Sequence, residues 1–401
     1  MSVATESADV VAPALDLSPA ATDHAPSRRI GDIEMLRGVA VLFVILHHAH
    51  GDLVHWPSRV LGGLFTYFEF WSGVDLFFAI SGFVIARSLL PTLEACAGNA
   101  AYLQAVLAFW IRRAWRLLPS AWLWLAIALV LSLLFNRSGV FGPPEANVAT
   151  TIAALANVQN FHGVVTFGAS PSGTSFVYWS LSLEEQFYIL LPIAAFVLRR
   201  HLPWLIGALV LAQLFTPRGL LLMFARTDAI LLGVLIAIWE RQPTFRLFEP
   251  TGLRDSRFAG PALLAAALLG LATLSSDALH IVWFRVGLIA LIAAVLVFIA
   301  AQDRHYLWPE GRTKRVMMWL GSRSYGLYLI HIPTYFFTRE LWFRLAGEEL
   351  GPAYTLPVVA TALPLLLLLS EFNYRLVEAP LRRRGTAIAA RFAARPVLES
   401  A

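Results

Sequence analysis

The sequence has 401 residues, 58% of them hydrophobic and 14% charged, with a formal net charge of +5 at pH 7. A soluble domain carries about 25% charged residues, so this composition indicates a polytopic membrane protein. The basic residues punctuate apolar runs and form no patch with interleaved aromatic residues, which argues against a nucleic-acid partner. Cys96 is the one cysteine, so the chain forms neither an internal disulfide nor a cysteine-based metal cluster.

The apolar segments predict an all-α fold, a polytopic integral membrane bundle of about ten transmembrane helices. The predicted helices lie near 33–50, 73–91, 117–135, 182–198, 203–217, 226–240, 260–275, 283–301, 317–337 and 354–375. Residues 1–30 are polar and lack the apolar core of a cleavable signal peptide, so we expect a disordered cytoplasmic tail. Residues 31–380 then form the transmembrane domain, and residues 381–401 form a basic cytoplasmic tail.

Basic residues accumulate on one side of these predicted helices. With a cytoplasmic N-terminus, the inner side receives most of them, including Arg112, Arg113, Arg116, Arg199, Arg200, Arg312, Lys314, Arg315 and Arg382 to Arg384. The positive-inside rule therefore predicts that both termini are cytoplasmic. On the opposite side, the connection 136–181 is long enough to predict a functional loop, part of which re-enters the membrane or lies on its surface.

The first predicted helix carries two ionisable groups on the same face. Arg37 and His48 are eleven residues apart, which is about three helical turns and a rise of about 16 Å. Ionisable residues at membrane depth usually mark a functional site. The alternative is that Arg37 reaches the lipid headgroups and that the histidines cap a helix end.

Two further segments carry charged residues that admit two interpretations. In Gly73-Val-Asp-Leu-Phe-Phe-Ala-Ile-Ser-Gly-Phe83, Asp75 either faces the helix dipole or orients a catalytic histidine, and Ser81-Gly82 allows close approach of a helix or a thin substrate arm. Arg113 and Arg116 are neighbours on one helical face. They either bind phosphate oxygens bidentately or anchor the helix at the inner surface.

The segment Tyr178-Trp-Ser-Leu-Ser-Leu-Glu-Glu-Gln-Phe-Tyr188 is also open to two interpretations. Ser182-x-x-Glu185 fits a capping box. Alternatively, the two carboxylates of Glu184 and Glu185 serve proton transfer, with Glu185 as the candidate catalytic residue, and Trp179, Ser182 and Tyr188 bind a substrate hydroxyl.

Other candidate residues receive structural roles. We expect His331 to be a hydrogen-bonded core histidine, and Arg226 and Asp228 to form a local ion pair or a wall of the site. Neither zinc-ligand spacing nor a glycine-rich nucleotide loop occurs in the sequence, so no metal is expected.

Together these segments resemble the acyltransferase-3 family of membrane acyltransferases. The resemblance rests on Leu36-Arg-Gly-Val-Ala with His48, Gly73–Phe83, Arg113-x-x-Arg116 before Pro119, Trp179–Tyr188, Ser324-Tyr-Gly-Leu-Tyr-Leu-Ile-His331 and Val377-Glu-Ala-Pro380. It implies about ten transmembrane helices in a bacterial inner membrane. It also implies transfer of an acyl group, often acetyl, from cytoplasmic acyl-CoA to a sugar hydroxyl of a surface or exported polysaccharide, lipopolysaccharide or lipid-linked glycan.

The resemblance implies site roles for Arg37, His48, Arg113, Arg116 and Glu185. Arg37, Arg113 and Arg116 would hold the phosphates of acyl-CoA, with acetyl-CoA as the simplest donor. His48 would act as general base on the acceptor hydroxyl or as a transient acyl carrier, for which an ordinary histidine pKa near 6.5 is suited.

Three further expectations accompany this hypothesis. Glu185 and Asp75 complete the predicted catalytic group with His48. The closing segment has Ala379 where the family motif suggests a basic residue, so it receives no site role. The sequence stops about twenty residues after its last predicted helix, so acceptor handling is expected to use the membrane domain or another protein.

Two alternatives from other classes remain at this point. A transporter or flippase of a lipid-linked or small amphipathic cargo would use the same polar residues to line a path. A catalytically silent scaffold for envelope assembly is disfavoured by the intact Arg37 and His48 pair.

Overall fold

A computed structural model describes residues 30–57, 59–254, 256–279 and 281–394. The predicted N-terminal tail lies outside these ranges except for Ile30, and so do residues 395–401 of the predicted C-terminal tail. The described residues form sixteen α-helices and no β-strand, which confirms the all-α prediction.

The helices are α1 (Gly31–Ala49), α2 (Arg59–Tyr67), α3 (Gly73–Glu94), α4 (Asn99–Leu134), α5 (Pro144–Leu155), α6 (Gln159–Thr166), α7 (Tyr178–Leu198), α8 (Leu202–Leu214), α9 (Leu220–Phe224), α10 (Asp228–Glu240), α11 (Thr244–Leu247), α12 (Ala259–Ser275), α13 (Arg285–Ala301), α14 (Arg312–Ala346), α15 (Thr355–Asn373) and α16 (Ala379–Ala393). Each predicted apolar segment overlaps one of these helices. Within the described ranges, four helical stretches are long and apolar enough to cross a membrane: Gly73–Glu94, Asn99–Leu134, Tyr178–Leu214 and Pro352–Ala393.

Backbone contact between α1 and α14 sets the centre of the fold. A Cβ added to Gly38 would lie 2.2 Å from the Met317 carbonyl oxygen, and one added to Gly321 would lie 1.9 Å from that of Glu34. The two helices run parallel, because Lys314 pairs with Asp32 at their beginnings (2.6 Å). This packing brings the Arg37 end of α1 to one end of α14, and the His48 end to the middle of α14.

Helix α3 packs equally closely on α10. A Cβ added to Gly82 would lie 1.9 Å from the Ile230 carbonyl oxygen. The close approach expected at Ser81-Gly82 is therefore made by a helix at Gly82, and Ser81 is left on a different face of α3.

The long connection after α4 is folded rather than structureless. It contains α5 and α6, and its start is held by Glu340, whose carboxylate accepts hydrogen bonds from the amides of Arg137 and Ser138, each at 2.8 Å. Its second half is tied to α7, since the Gln159 amide donates to Ser182 Oγ at 3.2 Å.

The predicted boundary at residue 380 falls inside a helix. Helix α16 packs along the first half of α4, where a Cβ on Gly385 would lie 2.2 Å from Cβ of Trp115. The described part of the C-terminal region is therefore part of the folded bundle, and it adds side chains to the site described next.

Candidate active site

A cavity of about 300 Å³ lies among α1, α3, α4, α7, α14 and the start of α16. Its charged lining residues are Glu34, Arg37, Arg113, Arg116, Glu184, Glu378 and Arg382. The three arginines predicted to bind the donor, which lie far apart in sequence, therefore face one space. Tyr188, predicted to bind substrate, also lines it.

The guanidinium groups on the cavity wall are poorly neutralised. Arg37 donates to Ser324 Oγ at 3.1 Å and lies 3.5 Å from Glu34. Arg113 lies over the Tyr188 ring, 5.1 Å from its centroid. Within the described residues, neither Arg113 nor Arg116 forms an ion pair or a hydrogen bond. Half-buried guanidinium groups without a carboxylate partner favour binding of an anion.

Of the two adjacent glutamates of α7, Glu184 lines the cavity and Glu185 does not. Glu184 accepts hydrogen bonds from Ser81 Oγ and the Tyr188 hydroxyl. Glu184 and Tyr188 are four residues apart and share a face of α7, whereas Glu185 is turned by about 100°. The Glu185 side chain lies instead beside Asn157.

The predicted capping box is wrong because α7 begins at Tyr178, four residues before Ser182. Ser182 is therefore inside the helix, where it is 1% exposed and accepts the amide of Gln159. Its hydroxyl does not line the cavity, in contrast to its predicted role in substrate binding.

Asp75 and Trp179 hold an arginine rather than a histidine. Both oxygens of the buried Asp75 carboxylate accept from Arg226, at 2.8 and 3.0 Å. The Arg226 guanidinium lies over the Trp179 ring, 4.9 Å from its centroid. The expected local pair of Arg226 with Asp228 is wrong, since Asp228 pairs with Arg218 at 2.6 Å. Neither Asp75 nor Trp179 lines the cavity, so both support the fold beside it.

The closing segment contributes Glu378 and Arg382 to the cavity, contrary to expectation. The closing segment received no site role, yet both residues lie on the cavity wall. Glu378 accepts a hydrogen bond from Asn373 Nδ2 at 2.8 Å, in a π-helical turn spanning Tyr374–Glu378. This turn joins α15 to α16 and brings Glu378 toward the cavity.

His48 lies at the far end of α1 and pairs with an aspartate that sequence reasoning missed. His48 Nδ1 is 2.8 Å from Asp52 Oδ2, and Arg339 donates to the Asp52 carbonyl at 3.0 Å. A carboxylate at Nδ1 favours the tautomer with a proton on Nδ1, which leaves Nε2 as a base. The available signal was the i,i+4 spacing of His48 and Asp52, although Asp52 lies two residues beyond the end of the predicted helix.

His331 is the expected buried core histidine, and it contacts the site. Its Nδ1 is 2.6 Å from the Tyr328 carbonyl, which accepts only, so Nδ1 carries the proton. Its other nitrogen, Nε2, is buried and has no hydrogen-bond partner in the described part of the chain. The His331 ring lies 5.1 Å from the His48 ring and 5.6 Å from the Tyr328 ring.

The two halves of the site are therefore connected through side chains. Tyr328 lines the cavity, His331 packs behind it, and His48 packs on His331. His48 itself does not line the cavity. The residues that the structure describes contain no group of three or more His, Cys, Asp or Glu side chains arranged to hold a metal ion.

Known proteins resemble this chain over most of its length. The family profile described as an acyltransferase domain matches residues 30–371. YrhL of Bacillus subtilis, whose name makes it a candidate peptidoglycan O-acetyltransferase, is 29% identical over 385 residues, or 89% of this chain and 56% of YrhL. The O-acetyltransferase OatA of Staphylococcus aureus is 27% identical over 389 residues, or 89% of this chain and 58% of OatA.

The peptidoglycan O-acetyltransferase OatA of Listeria monocytogenes is 27% identical over 400 residues, or 91% of this chain and 57% of that protein. The chain thus spans 56–58% of the length of these curated relatives. No solved structure matches it. Because the family profile covers most of the chain and the motif residues Arg37, Arg113 and Arg116 meet at one cavity, the chain belongs to the acyltransferase-3 family.

Proposed function

We propose that the chain is an integral membrane O-acetyltransferase. It takes an acetyl group from cytoplasmic acetyl-CoA and transfers it to a hydroxyl of a cell-wall glycan of the peptidoglycan type. The observation that carries this proposal is the cavity at which Arg37, Arg113 and Arg116 meet with few carboxylate partners. The names of the relatives support the acetyl group and the glycan acceptor.

The arginine cavity suits the nucleotide end of coenzyme A. The donor carries a pyrophosphate and a ribose phosphate, and guanidinium groups bind such oxygens with two parallel hydrogen bonds. Arg382 adds a fourth cation to the wall. The carboxylate of Glu184 is already engaged by Ser81 and Tyr188, so it positions those side chains rather than pairing with the arginines.

The histidine end of the site suits the chemical step. Asp52 holds His48 Nδ1, and His48 Nε2 takes the proton of the acceptor hydroxyl as its oxygen attacks the thioester carbonyl. The carbon–sulfur bond then breaks, and the CoA thiolate takes the proton from His48. A variant of this mechanism has His48 carry the acetyl group briefly before the hydroxyl attacks. In both, the donor arm extends from the arginine cavity past Tyr328 toward His48.

The proposal includes a topology. The chain spans a bacterial inner membrane about ten times, with both termini and the arginine cavity toward the cytoplasm. The described helical stretches that are long and apolar enough to cross a membrane support part of this arrangement. The His48 end of α1 then faces the compartment in which the glycan is built.

The test is transfer by the full chain in lipid nanodiscs. The sample receives acetyl-CoA and soluble peptidoglycan fragments, and both free CoA thiol and O-acetylated fragments are measured. We expect His48→Ala to abolish both products, and Arg113→Gln/Arg116→Gln to raise KM for acetyl-CoA. His55→Ala, at an exposed histidine outside the site, is the matched control.

Full transfer by His48→Ala would remove His48 from the mechanism. An unmodified chain that releases no CoA, and instead moves a lipid-linked glycan across the bilayer, would favour the transporter alternative. No contact in the described residues favours that alternative at present.

A further inference from the structure

A second concave site shares no lining residue with the arginine cavity. It is a groove of about 650 Å³ between the turn that joins α3 to α4 and the turn that joins α7 to α8. Helices of three candidate membrane-crossing stretches, Gly73–Glu94, Asn99–Leu134 and Tyr178–Leu214, end, begin or turn here. The groove therefore lies where membrane helices meet the aqueous phase.

The groove is apolar at its base and basic at its rim. Leu90, Phe196 and Ile238 contribute to its walls, and Arg199 and Arg200 lie at its edge. Both arginines are exposed. Across the described ranges, neither pairs with a carboxylate. The Arg199 guanidinium lies 6.0 Å from the centroid of the Phe196 ring.

The negative charge in the groove is already neutralised. Glu94 also lines it, but its carboxylate accepts from Arg241 at 2.8 Å. Arg199 has a backbone φ of +46°, an unfavourable conformation for a residue other than glycine. Such a conformation persists where the surrounding structure imposes it. The rim therefore presents two uncompensated cations above an apolar base.

We propose that this groove binds an anionic glycerophospholipid from the inner leaflet. Its phosphate would lie between Arg199 and Arg200, and one acyl chain would lie along Leu90 and Phe196. Basic pockets between membrane helices on the cytoplasmic side recognise lipid headgroups by this combination of charge and apolar contact. The proposal is independent of the acyl-transfer reaction, because the groove shares no lining residue with the arginine cavity.

Cys96 makes the proposal testable without a reporter mutation. It is the single cysteine of the chain, and it lines the groove. Burial raises the pKa of its thiol, so alkylation is best followed at mildly alkaline pH, where more thiolate is present. A lipid in the groove covers this sulfur and slows the reaction.

The experiment measures the rate of alkylation of Cys96 by N-ethylmaleimide, an uncharged reagent, in the full chain. Nanodiscs of phosphatidylcholine are compared with nanodiscs that also contain phosphatidylglycerol. We expect alkylation about thirty-fold slower with the anionic lipid, the factor supplied by two favourable contacts between a cation and such a lipid. Arg199→Gln/Arg200→Gln should remove this difference.

The matched control is Arg312→Gln/Arg315→Gln, which removes two exposed cations at the start of α14. It should keep the difference, because these residues lie outside the groove. Equal rates in the two lipids, or protection that survives in Arg199→Gln/Arg200→Gln, would overturn the proposal. Protection by soluble glycerol phosphate in phosphatidylcholine nanodiscs would also overturn it, since the site would then recognise a free phosphate.

Discussion

The substitution Asp52→Asn tests the pairing of a carboxylate with His48. It preserves the size of the side chain and removes the charge that faces His48 Nδ1 at 2.8 Å. A hydrogen bond to a charged group contributes about 1.5–3 kcal/mol. The two side chains are 18% and 28% exposed, so solvent weakens the pair and about 2 kcal/mol is the appropriate estimate. If the transition state loses this stabilisation, kcat falls about 30-fold.

The assay is steady-state transfer in nanodiscs with varied acetyl-CoA. We expect kcat to fall and KM for acetyl-CoA to stay unchanged, because Arg37 is about three helical turns from His48, and Arg113 and Arg116 line the same cavity as Arg37, which His48 does not line. Asp277→Asn is the control, since Asp277 is an exposed aspartate that pairs with Arg285. An unchanged kcat in Asp52→Asn would refute the positioning role of Asp52. An equal rise in KM would indicate a general structural effect instead.

Three further predictions concern the cavity and the helix contact. Arg113→Gln should raise KM for acetyl-CoA about ten-fold with little change in kcat, because it removes a charged donor to phosphate; a normal KM would place the donor elsewhere. Glu184→Gln should reduce activity about ten-fold, because it disturbs the hydrogen bonds from Ser81 and Tyr188. Glu185→Gln should keep activity within about two-fold of the unmodified protein. A larger loss of activity in Glu185→Gln than in Glu184→Gln would support Glu185 as the catalytic carboxylate. Gly321→Ala should lower Tm and activity, because its Cβ would lie 1.9 Å from a carbonyl oxygen of α1. The control Gly207→Ala has open space around its Cβ and should leave Tm unchanged or higher. Equal Tm values for both variants would contradict the tight contact.

Helix positions were the most predictable part of the fold. Apolar runs mark the helices directly, so every predicted segment overlaps one. Helix α14 extends beyond its predicted span because turns with charged residues continue it, and α4 begins before its predicted span in a segment that includes the apolar residues 105–111. Lys314, for example, is fully buried in the first turn of α14, where it pairs with Asp32. A hydropathy pattern does not detect such a turn.

The site was predictable where residues share a helical face and unpredictable where partners come from distant segments. Because Arg113 and Arg116 share a face of their helix, both line one wall of the cavity. Glu184 lines the cavity and the predicted Glu185 does not, because tertiary packing sets which face of α7 turns toward the cavity, and a single sequence does not show that packing. The pairing of Asp75 with Arg226 joins residues 151 positions apart, which a single sequence does not reveal.

The glycine contact between α1 and α14 constrains how a turnover proceeds. With carbonyl oxygens of each helix against the backbone of the other, the two cannot slide along each other without losing their closest packing. The positions of Arg37 and His48 on α1 relative to Tyr328 and His331 on α14 are therefore held by backbone contact. We infer that the donor reaches His48 through movement of side chains such as Tyr328, and not through sliding of α1 along α14.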